Sequence, residues 1–189
     1  IYERKEMFMV IRHKALPLLL FLAVLLIFIF LSSGCNTAKT QVESESQIQV
    51  APQQGFLAPD FELEDLSGQK IRLSDLRGKI IVLNFWSMGC RYCLQEMPDF
   101  DEFNRSKPED VTVLMVNLDK DPSRVPAYIK NQQFSFTVLK DERAKTARTY
   151  MLRGIPTTYI IDKDGIIATR VEGPLSKNQL DSLVAKVAQ

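Results

Sequence analysis

Cys90-Arg91-Tyr92-Cys93 stands just after a run that is apolar except for Asn84, Ile80–Trp86, and opens a stretch of helical spacing over residues 91–105. That juxtaposition restricts the fold more than any other feature of the chain. A continuous β-branched run reads as a strand covered on both faces. Leu94, Met97 and Phe100 then recur at the spacing of one helix face. Cysteines at such a strand-to-helix turn acquire a defined chemistry. Cys90 falls at the helix N-terminus, where free backbone N–H groups and the helix dipole favour a thiolate. Cys93 lies one turn inside, within reach of the first thiol. The pair supplies a nucleophile and a resolving thiol.

Composition removes several other uses of the pair. The chain has one histidine, His13, and three cysteines, Cys35, Cys90 and Cys93. Beyond residue 14 there is no histidine for Ser-His-Asp hydrolysis, Cys-His proteolysis or His-ligated zinc. Zinc at the pair needs two further ligands, and covalent haem needs His where Leu94 stands. The reading therefore includes no metal and no cofactor. A thiol peroxidase suits Ser87, three residues before Cys90, but Leu83 stands where that loop usually opens with Pro. A purely structural disulfide closes a four-residue loop and gains little chain entropy. Lys+Arg and Asp+Glu balance at 24 against 23, without the clustered basic excess of a nucleic-acid binder.

The remaining pattern is strand and helix in alternation. Residues 61–63 and 70–73 alternate around the turn cluster Asp65-Leu66-Ser67-Gly68 and predict a hairpin. Residues 111–116 and 136–139 predict strands, and 122–133, with Pro122 at the start, and 142–150 predict helices. Residues 157–161 and 166–170 predict a second hairpin across Asp162-Lys163-Asp164-Gly165. That turn is not a calcium loop, since position twelve is Gly173 rather than Glu. A last helix over 176–188 has Ser176 as its cap. The pattern predicts an α/β domain over 55–189, with a mixed central sheet flanked by helices and an N-terminal hairpin extension.

The first 54 residues read as an address and a tether. Residues 15–31 are uncharged and almost wholly apolar, preceded by Arg12, His13 and Lys14 and followed by Ser32, Ser33 and Gly34. This describes a signal peptide or signal anchor over 1–34, with the remainder exported. Leu31-Ser32-Ser33-Gly34-Cys35 resembles a bacterial lipobox, which makes Cys35 a candidate lipid attachment site. Met9 is the expected translation start, because Lys5-Glu6 can be encoded as a ribosome-binding sequence. Residues 35–54, rich in Gln, Ser, Thr and Glu, are expected to form a flexible tether.

Ala58-Pro59-Asp60-Phe61, Leu76-Arg77-Gly78-Lys79, Asn84-Phe85-Trp86 and Gly154-Ile155-Pro156-Thr157 fall in order around the cysteine pair. With these pieces, the chain from Ala58 onward resembles the TlpA/ResA-like thiol–disulfide oxidoreductases, which are membrane-tethered and have a thioredoxin-like fold. It departs from them at Gly89, where Trp is usual, and at Tyr92, where Pro is usual. The resemblance implies a cis Ile155–Pro156 bond facing the cysteines, with Ile155 offering its backbone to an extended substrate strand and Trp86 in the substrate-binding region. It also implies that Glu96, one turn after Cys93, tunes thiol ionisation or relays a proton. Glu96 would thereby replace the buried Asp that cytoplasmic thioredoxins carry where Asn84 stands. The expected activity is reduction of disulfide-bearing proteins, above all the haem-binding CxxC of apocytochrome c. A membrane-embedded thiol conduit is expected to donate the electrons, and the protein is expected to be a monomer facing the extracytoplasmic side of the cell membrane. Sporulation or envelope repair, a non-catalytic tethered binding module and a thiol peroxidase stay open as alternatives.

Overall fold

The structure, a computed structural model, describes residues 49–188. The predicted signal, Cys35 and Met9 lie outside the described residues. In chain order the elements are β1 (Glu62–Asp65), β2 (Lys70–Arg72), a 3-10 turn (Leu73–Leu76), β3 (Ile80–Trp86), α1 (Arg91–Ser106), β4 (Val111–Asn117) and α2 (Val125–Gln132). They continue as β5 (Thr137–Lys140), α3 (Lys145–Thr149), β6 (Thr157–Ile161), β7 (Ile167–Glu172) and α4 (Lys177–Val187). The seven strands form one mixed sheet in the order β2-β1-β5-β4-β3-β6-β7. β3, β4 and β5 run parallel, whereas β6, β7 and the β1–β2 hairpin are antiparallel to their neighbours.

β3 is buried along its whole length, as a strand covered on both faces must be. Its alternation divides the core into two layers. Ile80, Val82 and Trp86 face one layer with Cys93, Met97 and Phe100 of α1, Ile129 of α2 and Leu180 and Val184 of α4. Ile81, Leu83 and Phe85 face the other layer with Ala58, Phe61, Tyr150 and Tyr159. In that second layer the Tyr150 hydroxyl donates to the Pro59 carbonyl at 2.8 Å and the Tyr159 hydroxyl to the Tyr150 carbonyl at 2.9 Å. Both buried phenols are thus satisfied.

Strand ends shift by one or two residues from the sequence reading, and three larger differences each have a local reason. The helix expected from Pro122 begins at Val125, because residues 122–125 close a turn in which the Val125 N–H donates to the Pro122 carbonyl. Pro126 takes the first-turn position where a missing N–H costs nothing. The helix expected over 142–150 shrinks to Lys145–Thr149. Buried Asp141 accepts the N–H groups of Lys145 and Ala147 at 2.8 and 2.9 Å and so fixes the helix start after Ala144, which is left-handed at φ 50°. Residues 49–54, assigned by composition to the tether, belong to the folded unit. The Leu57 N–H donates to the Gln49 carbonyl at 3.0 Å, the Ala51 N–H to the Leu57 carbonyl at 3.1 Å, and Pro52 is buried. Leu57 in turn bridges to Ile166 at the turn between β6 and β7.

Candidate active site

β3 ends at Trp86, and the chain turns through Ser87, Met88 and Gly89 into α1. Parallel pairing sets Trp86 beside Asn117, so the loops after β3 and β4 leave the sheet together. Asp119 uses that proximity. Its carboxylate accepts the Met88 N–H at 2.9 Å and the Asn117 side-chain amide at 2.8 Å, and thereby pins the loop that leads to the cysteines.

Cys90 is the residue that caps α1. Its sulfur accepts the Cys93 N–H at 3.2 Å and is joined to Cys93 in a disulfide with the Cα atoms 5.3 Å apart. The first turn of α1 carries no acidic residue, and Arg91 is exposed beside the pair. A thiolate formed at Cys90 on reduction therefore meets a helix N-terminus and a cation, with no nearby first-turn carboxylate to oppose it. Cys90 is half-buried and Cys93 fully buried. Iodoacetamide at neutral pH is accordingly expected to label Cys90 of the reduced protein well before Cys93, as read by peptide mass mapping. Preferential labelling of Cys93 overturns the assignment of the attacking sulfur.

The Ile155–Pro156 bond is cis, and the Ile155 carbonyl oxygen lies 3.6 Å from the Cys90 sulfur. The two sequence-selected segments thus meet, although 65 residues separate them. Pro156 is buried and Ile155 half-buried.

Glu96 follows Cys93 by one turn of α1, and its surroundings exceed what the sequence suggested. The carboxyl is 2% exposed and faces the sheet from α1. Oε1 accepts from the Asn84 side-chain amide at 2.8 Å, and Oε2 accepts from the Leu175 backbone N–H at 2.9 Å. The same Asn84 amide nitrogen donates to Thr158 Oγ1 at 3.0 Å. The carboxyl therefore links the cysteine-bearing helix to the central strand and to the loop before α4, and Asn84 extends the link to β6. Burial pushes Glu96 up to about 7; the hydrogen bonds from Leu175 and Asn84 oppose the shift, and Asp99 adds to it. A buried carboxyl that titrates near neutrality one helical turn from Cys93 is a candidate to hold or release a proton during thiol exchange.

Trp86 does not take the role the sequence reading assigned. It is 0% exposed and belongs to the same core layer as Cys93 and Met97, so it cannot touch a docked substrate. Its position at the end of β3 points it under the cysteine turn, where it supplies packing. Tyr92, by contrast, is 62% exposed between the cysteines. Asp119, Thr158 and the Leu175 N–H had not been selected. Thr158 was readable once β3 and β6 were paired, because Asn84 and Thr158 are register partners. Among the described residues, no group of three or more His, Cys, Asp and Glu side chains could hold a metal ion.

Comparison with known proteins agrees with this geometry. The model of the AhpC/TSA family matches residues 55–170. The thiol–disulfide oxidoreductase ResA of Bacillus anthracis is 31% identical over 170 residues, covering 89% of this chain and 96% of that protein. The thioredoxin-like protein YneN of Bacillus subtilis (strain 168) is 34% identical over 161 residues, covering 84% and 92%. Among solved structures, the exposed lipoprotein thioredoxin Etrx1 of Streptococcus pneumoniae strain TIGR4 superposes with a TM-score of 0.61 at 32% identity, covering 67% of this chain and 99% of that one. The chain belongs to the AhpC/TSA family, and within it is a thiol–disulfide oxidoreductase of the ResA-like group with a thioredoxin-like fold.

Proposed function

We propose that this protein works as a reductase outside the cytoplasm, tethered to the membrane by its first residues, and that its substrate is the oxidised haem-binding CxxC of apocytochrome c. The observation that carries the chemistry is the half-buried Cys90 sulfur at the N-terminus of α1, with Cys93 bonded to it and the Ile155 carbonyl 3.6 Å away. In the reduced protein the Cys90 thiolate attacks one sulfur of the substrate disulfide. A mixed disulfide forms and the other substrate sulfur leaves as a thiolate, which takes a proton. Cys93 then attacks the Cys90 sulfur, the second substrate thiol departs, and the Cys90–Cys93 disulfide results. Two electrons have passed to the substrate. A membrane-embedded thiol donor returns them to the pair. Glu96 accepts the proton that buried Cys93 loses when it attacks and returns it when the disulfide is reduced again.

The tether rests on the apolar run at 15–31 and on Cys35. It has a parallel in the lipoprotein Etrx1, a relative by structure and sequence. The apocytochrome substrate rests on the ResA-like resemblance. The test is a host strain lacking the protein. Covalently bound haem in its c-type cytochromes is expected to fall to trace levels and to return on addition of dithiothreitol to the medium. The full chain is expected to restore it, and the domain without residues 1–48 is not. Unchanged haem staining in the deletion strain rejects the substrate, and restoration by the cytosolic domain rejects the compartment.

A further inference from the structure

Beside the reactive sulfur lies a groove of about 470 Å³ that the exchange chemistry does not use. Leu118, Leu152 and Ile155 form its apolar floor and pack against the second core layer. Met151, 55% exposed, stands at its rim, and so do the exposed Arg148 and Arg153. The groove is continuous with the active site, since Ile155 lines it and also presents its carbonyl oxygen 3.6 Å from the Cys90 sulfur. A substrate strand laid along Ile155 must pass over it.

Its charge is one-sided. Between residues 143 and 153 the chain carries Arg143, Lys145, Arg148 and Arg153 and no Asp or Glu, although the domain as a whole is balanced. Among the described residues neither Arg148 nor Arg153 forms an ion pair with a carboxylate. Arg148 donates only to the Arg143 carbonyl, at 2.7 Å. Of the acidic groups on adjoining segments, exposed Glu142 lines a different depression, beside β1, and not this groove. Asp119 holds the Met88 and Asn117 groups, and Asp141 caps α3. Two free cations thus overlook an apolar trough. The thioether of Met151 can reshape to different apolar side chains.

We propose that this groove is the specificity site for the protein substrate. It takes an extended segment that carries an apolar side chain and an aspartate or glutamate within three residues of the reacting cysteine. The apolar side chain enters over Leu118, Leu152 and Met151, and the carboxylate pairs with Arg148 or Arg153. The inference rests on the exchange activity under Proposed function and deepens it, because it names the sequence chemistry that the enzyme selects.

The test uses the reduced protein and oxidised peptides that share one Cys-x-x-Cys disulfide. The peptides carry Leu-Glu or Leu-Lys two and three residues from the pair, placed before it in one set and after it in another. Each stopped-flow rate is divided by the rate on neutral bis(2-hydroxyethyl) disulfide, which is too small to span the groove. In at least one set the acidic peptide is expected to exceed the basic one by about tenfold at low salt, with the ratio shrinking as ionic strength rises. Arg148→Glu with Arg153→Glu is expected to invert the ratio, and Arg148→Ala with Arg153→Ala to bring it to one. Replacing Leu by Gly in the acidic peptide slows it. A ratio near one in both sets, or one that both double variants leave unchanged, overturns the groove while the exchange activity stands. Failure to reduce bis(2-hydroxyethyl) disulfide at all overturns the exchange activity and this inference with it.

Discussion

Cys90→Ser is expected to lower disulfide reduction to the rate of the buffer blank, and Cys93→Ala to turn catalysis into capture. The asymmetry follows from burial. Only the Cys90 sulfur is open to a substrate, whereas Cys93 is closed off beneath the first turn of α1. A serine hydroxyl at position 90 has no adjacent base strong enough to activate it, since the domain carries no histidine. With Cys90 intact and Cys93 removed, the first displacement still proceeds but nothing inside the protein attacks the mixed disulfide. Non-reducing electrophoresis of the Cys93→Ala protein incubated with an oxidised peptide should show a stable adduct that dithiothreitol removes. A Cys90→Ser protein that reduced the peptide at the wild-type rate would falsify the assignment of the nucleophile. Absence of the adduct with Cys93→Ala would show that some other group resolves it.

The second large effect belongs to Glu96. Its folded-state value, about 7, lies above the ordinary 4.5, so the folded protein holds the proton over a pH range in which the unfolded chain has lost it. Stability from this group is fully present below about pH 4.5 and is lost as the pH rises toward 7. The loss amounts to about 3 kcal/mol if the whole shift is realised. Glu96→Gln removes that dependence. Asp101, held below the usual carboxylate range by Ser135 and Arg105 against the opposing effect of burial, acts in the opposite direction. Its contribution is present above its unfolded value and disappears as the pH falls. Subtracting the Glu96→Gln curve from the wild-type curve cancels it. Urea unfolding of the oxidised protein between pH 4.5 and 8 measures the difference. Parallel curves would place the Glu96 proton elsewhere. In the reduced protein the same substitution removes a negative charge one helical turn from Cys93, so the pH midpoint of cysteine alkylation is expected to drop by roughly one unit.

The parts of the site that were legible in the sequence are those that local chemistry dictates. A β-branched run, two cysteines and a helix-spaced stretch specify a strand, a turn and a capped helix without reference to the rest of the chain. The proximity of Pro156 was legible only through resemblance, because no local pattern ties it to a cysteine 66 positions earlier. Trp86 was misjudged for a period-two reason. It shares a face with Ile80 and Val82, and that face is roofed by α1 and α4. Glu96 was selected for its helical offset from Cys93. Its partner Leu175 contributes only a backbone N–H from 79 residues away, and a backbone donor leaves no mark on residue identity. The same holds at residues 49–54, whose polar composition reads as a tether although main-chain hydrogen bonds dock them.

That docking gives the domain two poles. Leu57 bridges to Ile166 at the turn after β6, and Ala58 donates its N–H to the Gly165 carbonyl there. In register this is the Ile81 end of the central strand, whereas Thr157 and Phe85 mark the opposite end, where Pro156 and the cysteines lie. Seven residues of β3 separate the two ends by about 20 Å. The polypeptide is thus fastened at the foot of the sheet and reacts at its crown. Residues 49–58 therefore join the fold on the side remote from the reactive sulfur.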